Sequence, residues 1–296
     1  MSERLSVILP ARNEAPSLAA LLPRLKAILG EAEIIVVNDG STDATAQVAT
    51  EAGVRLISHP YGLGNGAAIK TGARAASGDI LVFMDADGQH DPDDIQRLVA
   101  KMDEGFEMVV GARGLDSHAS THRQLANRFY SRLASWMTGY PIQDLTSGFR
   151  AARGRHFRQF LYLLPNGFSY PTTSTMAFFR SGFPVAYIPI RTANRKGEST
   201  SHIRPLHDGA RFFMIIIKIG ALFSPMRFFL PLSFSMFMLG TLWYGYTYYT
   251  MNRFTNMSAV LFIDSLLIFL IGIVSEQISA LHYKGVEEGQ RRTSRD

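Results

Sequence analysis

The sequence predicts an α/β fold, a mostly parallel sheet with helices on both faces. Three observations lead there. Over the first 115 residues, short runs rich in Val, Ile, Leu and Phe alternate with segments of helical periodicity. Polar, carboxylate-bearing loops follow several of the apolar runs. The only apolar stretches long enough to cross a bilayer, with at most one charged residue each, lie far downstream, at 228–250 and 254–275. Alternation of strand and helix calls for parallel strands, because each helix carries the chain back across the sheet.

The elements follow in order. Strands are predicted at 5–10, 33–38, 54–59, 79–85 and 108–112, with helices near 16–29, 42–52, 65–76 and 92–104. The last of these begins with Asp91 as N-cap, Pro92 at the first helical position and Asp93 and Asp94 in the first turn. Ser41 or Thr42 would cap the second helix. A helix near 120–138, a loop over 142–150 turning at Gly148, and a strand at 183–192 complete the pattern. Residues 205–221 carry Phe212, Phe213, Ile215, Ile216 and Ile219 apart from His207, Asp208, Arg211 and Lys218, as an interfacial helix would.

Two spans should follow. Residues 228–250 hold no charged side chain, and 254–275 hold only Asp264. Six basic and two acidic residues lie between Arg195 and Arg227, the bias of a cytoplasmic flank. The expected layout is a cytoplasmic domain at 1–204, an interfacial segment at 205–226, a two-span anchor at 227–283 and a tail at 284–296. Both termini would face the cytoplasm, in the inner or plasma membrane if the chain is bacterial, and the two-span anchor allows a homo-oligomer. The net charge of +5 does not argue for nucleic acid, since the excess sits beside the first span. The chain has no cysteine, which excludes disulfides and zinc–thiolate sites. The N-terminus, Leu5 to Pro10, lacks a basic leader and reads as a strand.

The chemistry concentrates at strand ends, where open α/β sheets bind ligands. Asp85-Ala86-Asp87-Gly88-Gln89-His90 follows the apolar run Ile80 to Met84. Asp87 and Gln89 offer hard oxygen donors suited to Mg²⁺ or Mn²⁺, with diphosphate oxygens filling the remaining positions. The same aspartates would also serve as turn formers ahead of Pro92. Asp39, after Val36-Val37-Asn38, could accept hydrogen bonds from a nucleobase or ribose, or simply belong to a glycine turn. Glu14, after Pro10-Ala11-Arg12-Asn13, has the same two readings. Gly62-Leu63-Gly64-Asn65-Gly66 with Lys70 could close on a nucleotide substrate or be a plain turn into a helix. It follows the third strand, not the first, which argues against a dinucleotide fold.

Together, Val7 to Glu14, Val37 to Ser41, Asp85 to His90, Gly111 to Arg113 and Asp144 to Phe149 resemble family 2 glycosyltransferases of the dolichol-phosphate mannose synthase and bacterial polyprenyl-phosphate type. The resemblance covers about residues 5–205. It implies a GT-A fold and an inverting transfer of sugar from a UDP- or GDP-linked donor to undecaprenyl or dolichyl phosphate. It implies that Pro10, Ala11, Glu14, Val37 and Asp39 line the nucleotide, with Asp85, Ala86, Asp87 and Gln89 at the diphosphate and metal; Arg12 and Lys70, beside these segments, are read as further nucleotide-sugar contacts. Asp87 and Gln89 would hold the metal, and Arg113, Arg123 and Arg195 would meet the acceptor phosphate. The chain departs from the family at Arg195-Lys196-Gly197-Glu198-Ser199-Thr200, where Arg195 stands one residue nearer the glycine and Thr200 replaces a lysine. Lys196, His202 or Arg204 could supply that charge.

A phosphate acceptor is already anionic and needs no general base, whereas a hydroxyl acceptor does. The competing enzyme is therefore a membrane-anchored transferase acting on a hydroxyl, with a carboxylate near Asp144 as base. A non-catalytic scaffold is the other alternative, disfavoured by the intact Asp85, Asp87 and Gln89.

Overall fold

The computed structural model describes residues 3–113, 121–167, 169–191, 214, 217 and 224–293. The chain divides into two compact units, Met1–Ser135 with Tyr140–Ile215, and Trp136–Gly139 with Ile216–Asp296.

The first unit is built on seven strands: β1 (Leu5–Ala11), β2 (Glu33–Asn38), β3 (Arg55–Ser58), β4 (Ile80–Phe83), β5 (Met108–Arg113), β6 (Arg150–Arg153) and β7 (Val185–Ile190). Their order is β3-β2-β1-β4-β6-β5-β7. Every pairing is parallel except those of β6, which runs antiparallel to both β4 and β5. The order reverses between β1 and β4, the place where open sheets of this kind form a ligand crevice. The register sets Ala11 beside Asn38 and Ile8 beside Phe83, so the loops after β1, β2 and β4 emerge along one edge.

Helices α1 (Ala15–Leu29), α2 (Thr45–Glu51), α3 (Asn65–Ala75), α4 (Asp94–Met102), α5 (Thr121–Thr138), α6 (Gly154–Gln159) and α7 (Tyr170–Arg180) fill the connections. Successive strand residues point to opposite faces. Val7, Leu9, Val36 and Val82 share a core with Leu18, Leu22, Ile95 and Leu98 of α1 and α4. Burying each such side chain is worth about 1.5–3 kcal/mol. On the other face α3 approaches β1 so closely that a Cβ on Gly72 would run into Ile8 Cγ2. Helices therefore cover both faces, as the sequence predicts.

Several boundaries differ from expectation. α4 starts at Asp94 instead of Pro92, because Asp91 and Pro92 form a preceding turn in which Asp91 accepts from the Asp93 and Asp94 N–H groups. α2 starts at Thr45, where Asp43 Oδ1 accepts the Thr45 N–H at 3.0 Å in place of a cap by Ser41 or Thr42. Within the loop expected over 142–150, Arg150 already begins β6.

The second unit holds two long antiparallel helices, α8 (Pro225–Met251) and α9 (Asn256–Thr293), both long and apolar enough to cross a membrane. Their contact stripe consists of small residues seven apart: Ser233, Gly240 and Thr247 on α8, and Ser258, Ser265, Gly272 and Ser279 on α9. Such spacing lets two backbones approach closely. Ser233 Oγ donates to Ser265 O at 2.9 Å, and Ser265 Oγ returns the bond to Ser233 O at 3.0 Å. Asp264 is half-buried on α9, which runs on through the segment read as a tail. The interfacial helix expected at 205–221 lies almost wholly outside the described residues.

Candidate functional site

Three loops meet at the crevice beyond β1, β2 and β4. The loops after β1 and β2 are stitched together. Asn13, held at a φ of 55°, donates its N–H to Ser41 Oγ at 3.0 Å and accepts from Thr42 N–H through Oδ1 at 2.8 Å. The Glu14 N–H donates to Thr45 Oγ1 at 3.0 Å, and the Ala15 N–H to Asp43 Oδ2 at 3.2 Å. This network fixes Pro10, Ala11, Arg12 and Glu14 at the rim. Glu14 itself sits at the start of α1 and accepts from Ser17 Oγ at 3.2 Å. Val37 is fully buried and packs toward α3 beside Gly72, so it supports the crevice from beneath.

Asp39 is the hub of this half. Its Oδ1 lies 2.8 Å from His59 Nδ1 and accepts the Leu63 N–H at 2.8 Å, while Oδ2 accepts the Gly64 N–H at 2.8 Å. His59 Nε2 reaches Thr71 Oγ1 at 2.9 Å, which ties the carboxylate to α3. Burial pushes the Asp39 carboxyl up, but the bonds from His59, Leu63 and Gly64 outweigh it and hold it below the usual carboxylate range. A carboxylate offers about four acceptor positions. Three are taken by donors among the described residues. The segment 61–64 lies against Gly40, whose φ of 65° and contact with Tyr61 exclude a side chain. Arg12 lies against Gly62, where a Cβ would come within 2.7 Å of its guanidinium.

The glycine-rich segment is a packed turn. The Gly66 and Ala67 N–H groups at the start of α3 donate to Gly167 O at 3.0 Å and Asn166 O at 2.9 Å. Lys70 Nζ donates to Leu164 O at 3.1 Å and also to Asn166 Oδ1. Burial, then the nearby Arg74, lowers the Lys70 pKa. Lys70, read from the sequence as a nucleotide-sugar contact, here braces the 164–167 loop against α3.

Asp85, Asp87 and Gln89 follow β4 and are all partly exposed, while Ala86 is buried beneath them. Asp87 Oδ1 accepts the Gln89 N–H at 3.1 Å, which curls the segment through Gly88 at a φ of 72°. No group of three or more His, Asp or Glu side chains able to hold a metal occurs among the described residues. Two carboxylates and an amide oxygen suit a hard divalent cation whose other ligands come from a substrate diphosphate. His90 stacks on Phe149 at 4.9 Å, and its Nε2 stands 3.8 Å from Asp85 Oδ2. The backbone of Gly148 crosses so near Asp85 that a Cβ there would lie 2.8 Å from Oδ2, and Tyr170 pins that backbone by donating to Gly148 O at 2.8 Å.

On the β5 side, Arg113 forks onto Asp144, with Nε to Oδ2 at 2.9 Å and Nη2 to Oδ1 at 3.1 Å, and also donates to Thr146 Oγ1. Asp144 accepts further bonds from the N–H groups of Arg113, Thr146 and Ser147 and from Thr146 Oγ1. Burial raises the Asp144 carboxyl, but the Arg113 hydrogen bond and charge, with the Thr146 and Arg113 N–H groups, hold it below its usual value. Burial lowers the Arg113 pKa, and Asp144 more than reverses that. The carboxylate proposed as a base on the hydroxyl reading is therefore saturated with donors. It acts as the seat of Arg113. The side chain of Arg123 and all of Arg195 and Thr200 lie outside the described residues.

The sequence did not single out His59, Thr71 or Arg150. His59 follows β3 as Asp39 follows β2, a placement that could have marked it. Arg150 is fully buried, donating to Pro171 O, Ser174 Oγ and Thr175 Oγ1 at 2.8–3.0 Å and to Ser147 O. It holds the 144–149 loop onto α7.

Residues 6–180 match the model of glycosyl transferase family 2, more than half of the chain. The protein belongs to that family. Residues 224–281, the two long helices, match a second model described as the GtrB C-terminal hairpin. The glycosyltransferase AglJ of Haloferax volcanii is 24% identical over 298 residues, covering 95% of this chain and 97% of its own length. The undecaprenyl-phosphate 4-deoxy-4-formamido-L-arabinose transferase of Salmonella paratyphi A is 37% identical over 161 residues, 51% of this chain. The chain spans about half the length, 49%, of that relative. Among solved structures, glucosyl-3-phosphoglycerate synthase of Mycobacterium tuberculosis with Mn²⁺, UDP and product superposes with a TM-score of 0.58 at 23% identity, covering 74% of this chain and 80% of that one. This likeness places the first unit in the GT-A fold.

Proposed function

We propose that this glycosyltransferase moves a sugar from a nucleoside-diphosphate sugar to a polyprenyl phosphate at a membrane, with inversion at the anomeric carbon. One observation carries the choice of acceptor: Asp144 is fully engaged by Arg113 and its neighbours, so the residue best placed to activate a hydroxyl is instead fixing a cation. The match of α8 and α9 to the GtrB hairpin and the undecaprenyl-phosphate relative support the same acceptor.

In this reading the bond between the anomeric carbon and the β-phosphate oxygen breaks, and the nucleoside diphosphate leaves with its electron pair. An acceptor phosphate oxygen forms the new bond from the opposite face. Asp39 and the stitched loops after β1 and β2 hold the nucleoside. Asp87 and Gln89, with Asp85 beside them, would hold a divalent cation, Mg²⁺ or Mn²⁺, which when bound would supply Lewis-acid charge to offset that on the departing diphosphate. Arg113, preset by Asp144, orients the acceptor phosphate through its planar fork; Arg123 and Arg195 are assigned to the same anion. Because α8 and α9 form a two-helix hairpin, its two flanks share one side of the membrane. The basic bias from Arg195 to Arg227 supports the reading that this side, and the first unit with it, face the cytoplasm.

A screen of UDP- and GDP-linked sugars against undecaprenyl and dolichyl phosphate, with Mg²⁺ or Mn²⁺ and with chelator, tests the reading. One donor should give a metal-dependent polyprenyl-phosphate sugar. Turnover that persists in chelator would remove the metal from the account.

A further inference from the structure

Arg150, at the start of β6, is fully buried, and the oxygens that accept from it all belong to neutral groups. Nη1 donates to Pro171 O at 2.9 Å, Ser174 Oγ at 2.8 Å and Thr175 Oγ1 at 3.0 Å, and Nη2 donates to Ser147 O. Nε has no partner among the described residues. Asp144, the carboxylate of the adjoining loop, is paired with Arg113 instead. The first turn of α7 does not offset the charge either, because it is the positive end of that helix dipole. An arginine keeps its proton, and a buried ion without a counter-ion is costly. Neutral amides or hydroxyls could brace the same loop at lower cost, so hydrogen bonding alone does not account for a cation here.

Two chains of contacts lead from this charge to the site. On one side the guanidinium carbon stands 5.7 Å from the centre of the Tyr170 ring. The Tyr170 hydroxyl donates to Gly148 O at 2.8 Å, and the Gly148 backbone runs beside Asp85, where a Cβ would lie 2.8 Å from Oδ2. On the other side, Ser147 O accepts from Arg150 while the Ser147 N–H donates to Asp144 Oδ1 at 3.0 Å. The sheet register agrees. Arg150 pairs with Phe83 of β4 and Val110 of β5, just ahead of Asp85 and Arg113 on those strands. Burial lowers the Arg150 pKa, and Tyr170, Tyr187, Asp144 and Asp85 offset part of that, so the charge is felt at both carboxylates.

We propose that Arg150 is a buried counter-charge of the site: a fixed positive charge behind Asp85 and Asp144 that raises the affinity of the crevice for anionic phosphates before any ligand arrives. The proposal rests on the reading that the segment from Asp85 to Gln89 holds the metal and diphosphate of a nucleotide sugar. Being fully buried, Arg150 acts without touching substrate, as a positioning residue. A charge held in place by the fold needs no reorganisation when the ligand binds, and burial leaves it poorly screened by salt.

Counter-charge and brace leave opposite signatures. Removing a positive charge weakens anion binding and strengthens cation binding, whereas loosening the 144–149 loop weakens both. Full-length wild type, Arg150→Met and Arg150→Lys are compared in detergent, each first checked for cooperative thermal unfolding. UDP and GDP are titrated without metal by calorimetry, and Mn²⁺ is titrated alone by the paramagnetic resonance of the free ion. Arg150→Met should bind the preferred nucleoside diphosphate about 10-fold more weakly and Mn²⁺ more tightly, as one lost charge at an effective dielectric of about 20 implies. Arg150→Lys keeps the charge and loses the fork, so both affinities should stay within about 3-fold of wild type. Parallel losses of both ligands in Arg150→Met, or no change in either, would overturn the inference. So would a loss of nucleotide affinity in Arg150→Lys equal to that in Arg150→Met. If Arg150→Met did not fold, Arg150→Lys would decide alone: wild-type affinities support the counter-charge, and a 10-fold loss of nucleotide affinity leaves only the brace. If wild type itself bound neither nucleoside diphosphate nor Mn²⁺, the donor-site reading would fall instead.

Discussion

The two halves of the sheet solve different problems. From β3 through β4, every pairing is parallel, and the loops after β1, β2 and β3 are tied to one another through backbone and short side chains. Asp39 is locked by three donors and His59 is locked in turn by Thr71. From β6 through β7 the sheet is mixed, and the site is held by long charged side chains: Arg113 on Asp144, and Arg150 on the 144–147 loop and α7. The contrast suits the two ligands of the proposed reaction. A nucleotide needs a rigid rim of hydrogen-bonding groups. A lipid phosphate needs a preset cation.

Substitutions should separate the two halves by size and by kinetic signature. The largest effect is expected at the junction: Asp87→Asn should lower kcat by about 10²–10³-fold, the range for losing one preorganised stabilising group, measured with saturating donor and metal. Next, Arg113→Lys keeps the charge but loses the fork onto Asp144. A lost charged hydrogen bond costs about 1.5–3 kcal/mol, so kcat/KM for the lipid acceptor should fall roughly 10- to 150-fold with little change in donor KM. Asp144→Asn should mimic Arg113→Lys. If it instead abolished turnover while the rate kept an acid limb in the wild type, a base role would return.

His59→Ala should act on the other half, and less. Freeing Asp39 from one hydrogen bond is worth about 1 kcal/mol, so donor KM should rise roughly 5-fold with kcat and acceptor KM unchanged. A change in acceptor KM of similar size would show that the halves are not independent. The smallest effect is expected from pH near neutrality. Asp39 and Asp144 both have folded pKa values below their usual 3.8, so the stability they contribute is complete above that value and is lost only as pH falls through the lowered ones. Thermal unfolding should therefore show no carboxylate-linked loss between pH 8 and about pH 5 and should decline below about pH 4. A decline centred near pH 6 would point to a histidine instead.

The halves also differed in legibility. β1, β2 and β4 are buried on both faces and read as continuous apolar runs, so Asp39 and Asp85 could be placed at strand ends from the sequence alone. β6 reads Arg-Ala-Ala-Arg, which has no strand signal. It becomes a strand because β4 and β5 pair with it and because hydroxyls and carbonyls of α7 and the 144–147 loop accept from both terminal nitrogens of Arg150. α7 was missed for a related reason. Thr172, Thr173, Ser174 and Thr175 look like a loop, yet all are buried, with hydroxyls of Thr173 and Ser174 turned back on the preceding carbonyls. Arg113 was read as an acceptor contact, but its dependence on Asp144 crosses 31 residues and required coordinates.

The most direct test of the central claim compares two acceptors that share a tail. Purified full-length protein in lipid nanodiscs, with its preferred nucleotide sugar, is offered undecaprenyl phosphate and, in parallel, undecaprenol. The account predicts a polyprenyl-phosphate sugar of inverted anomeric configuration from the first and no product from the second. Transfer to the alcohol alone, or retained configuration, would contradict it.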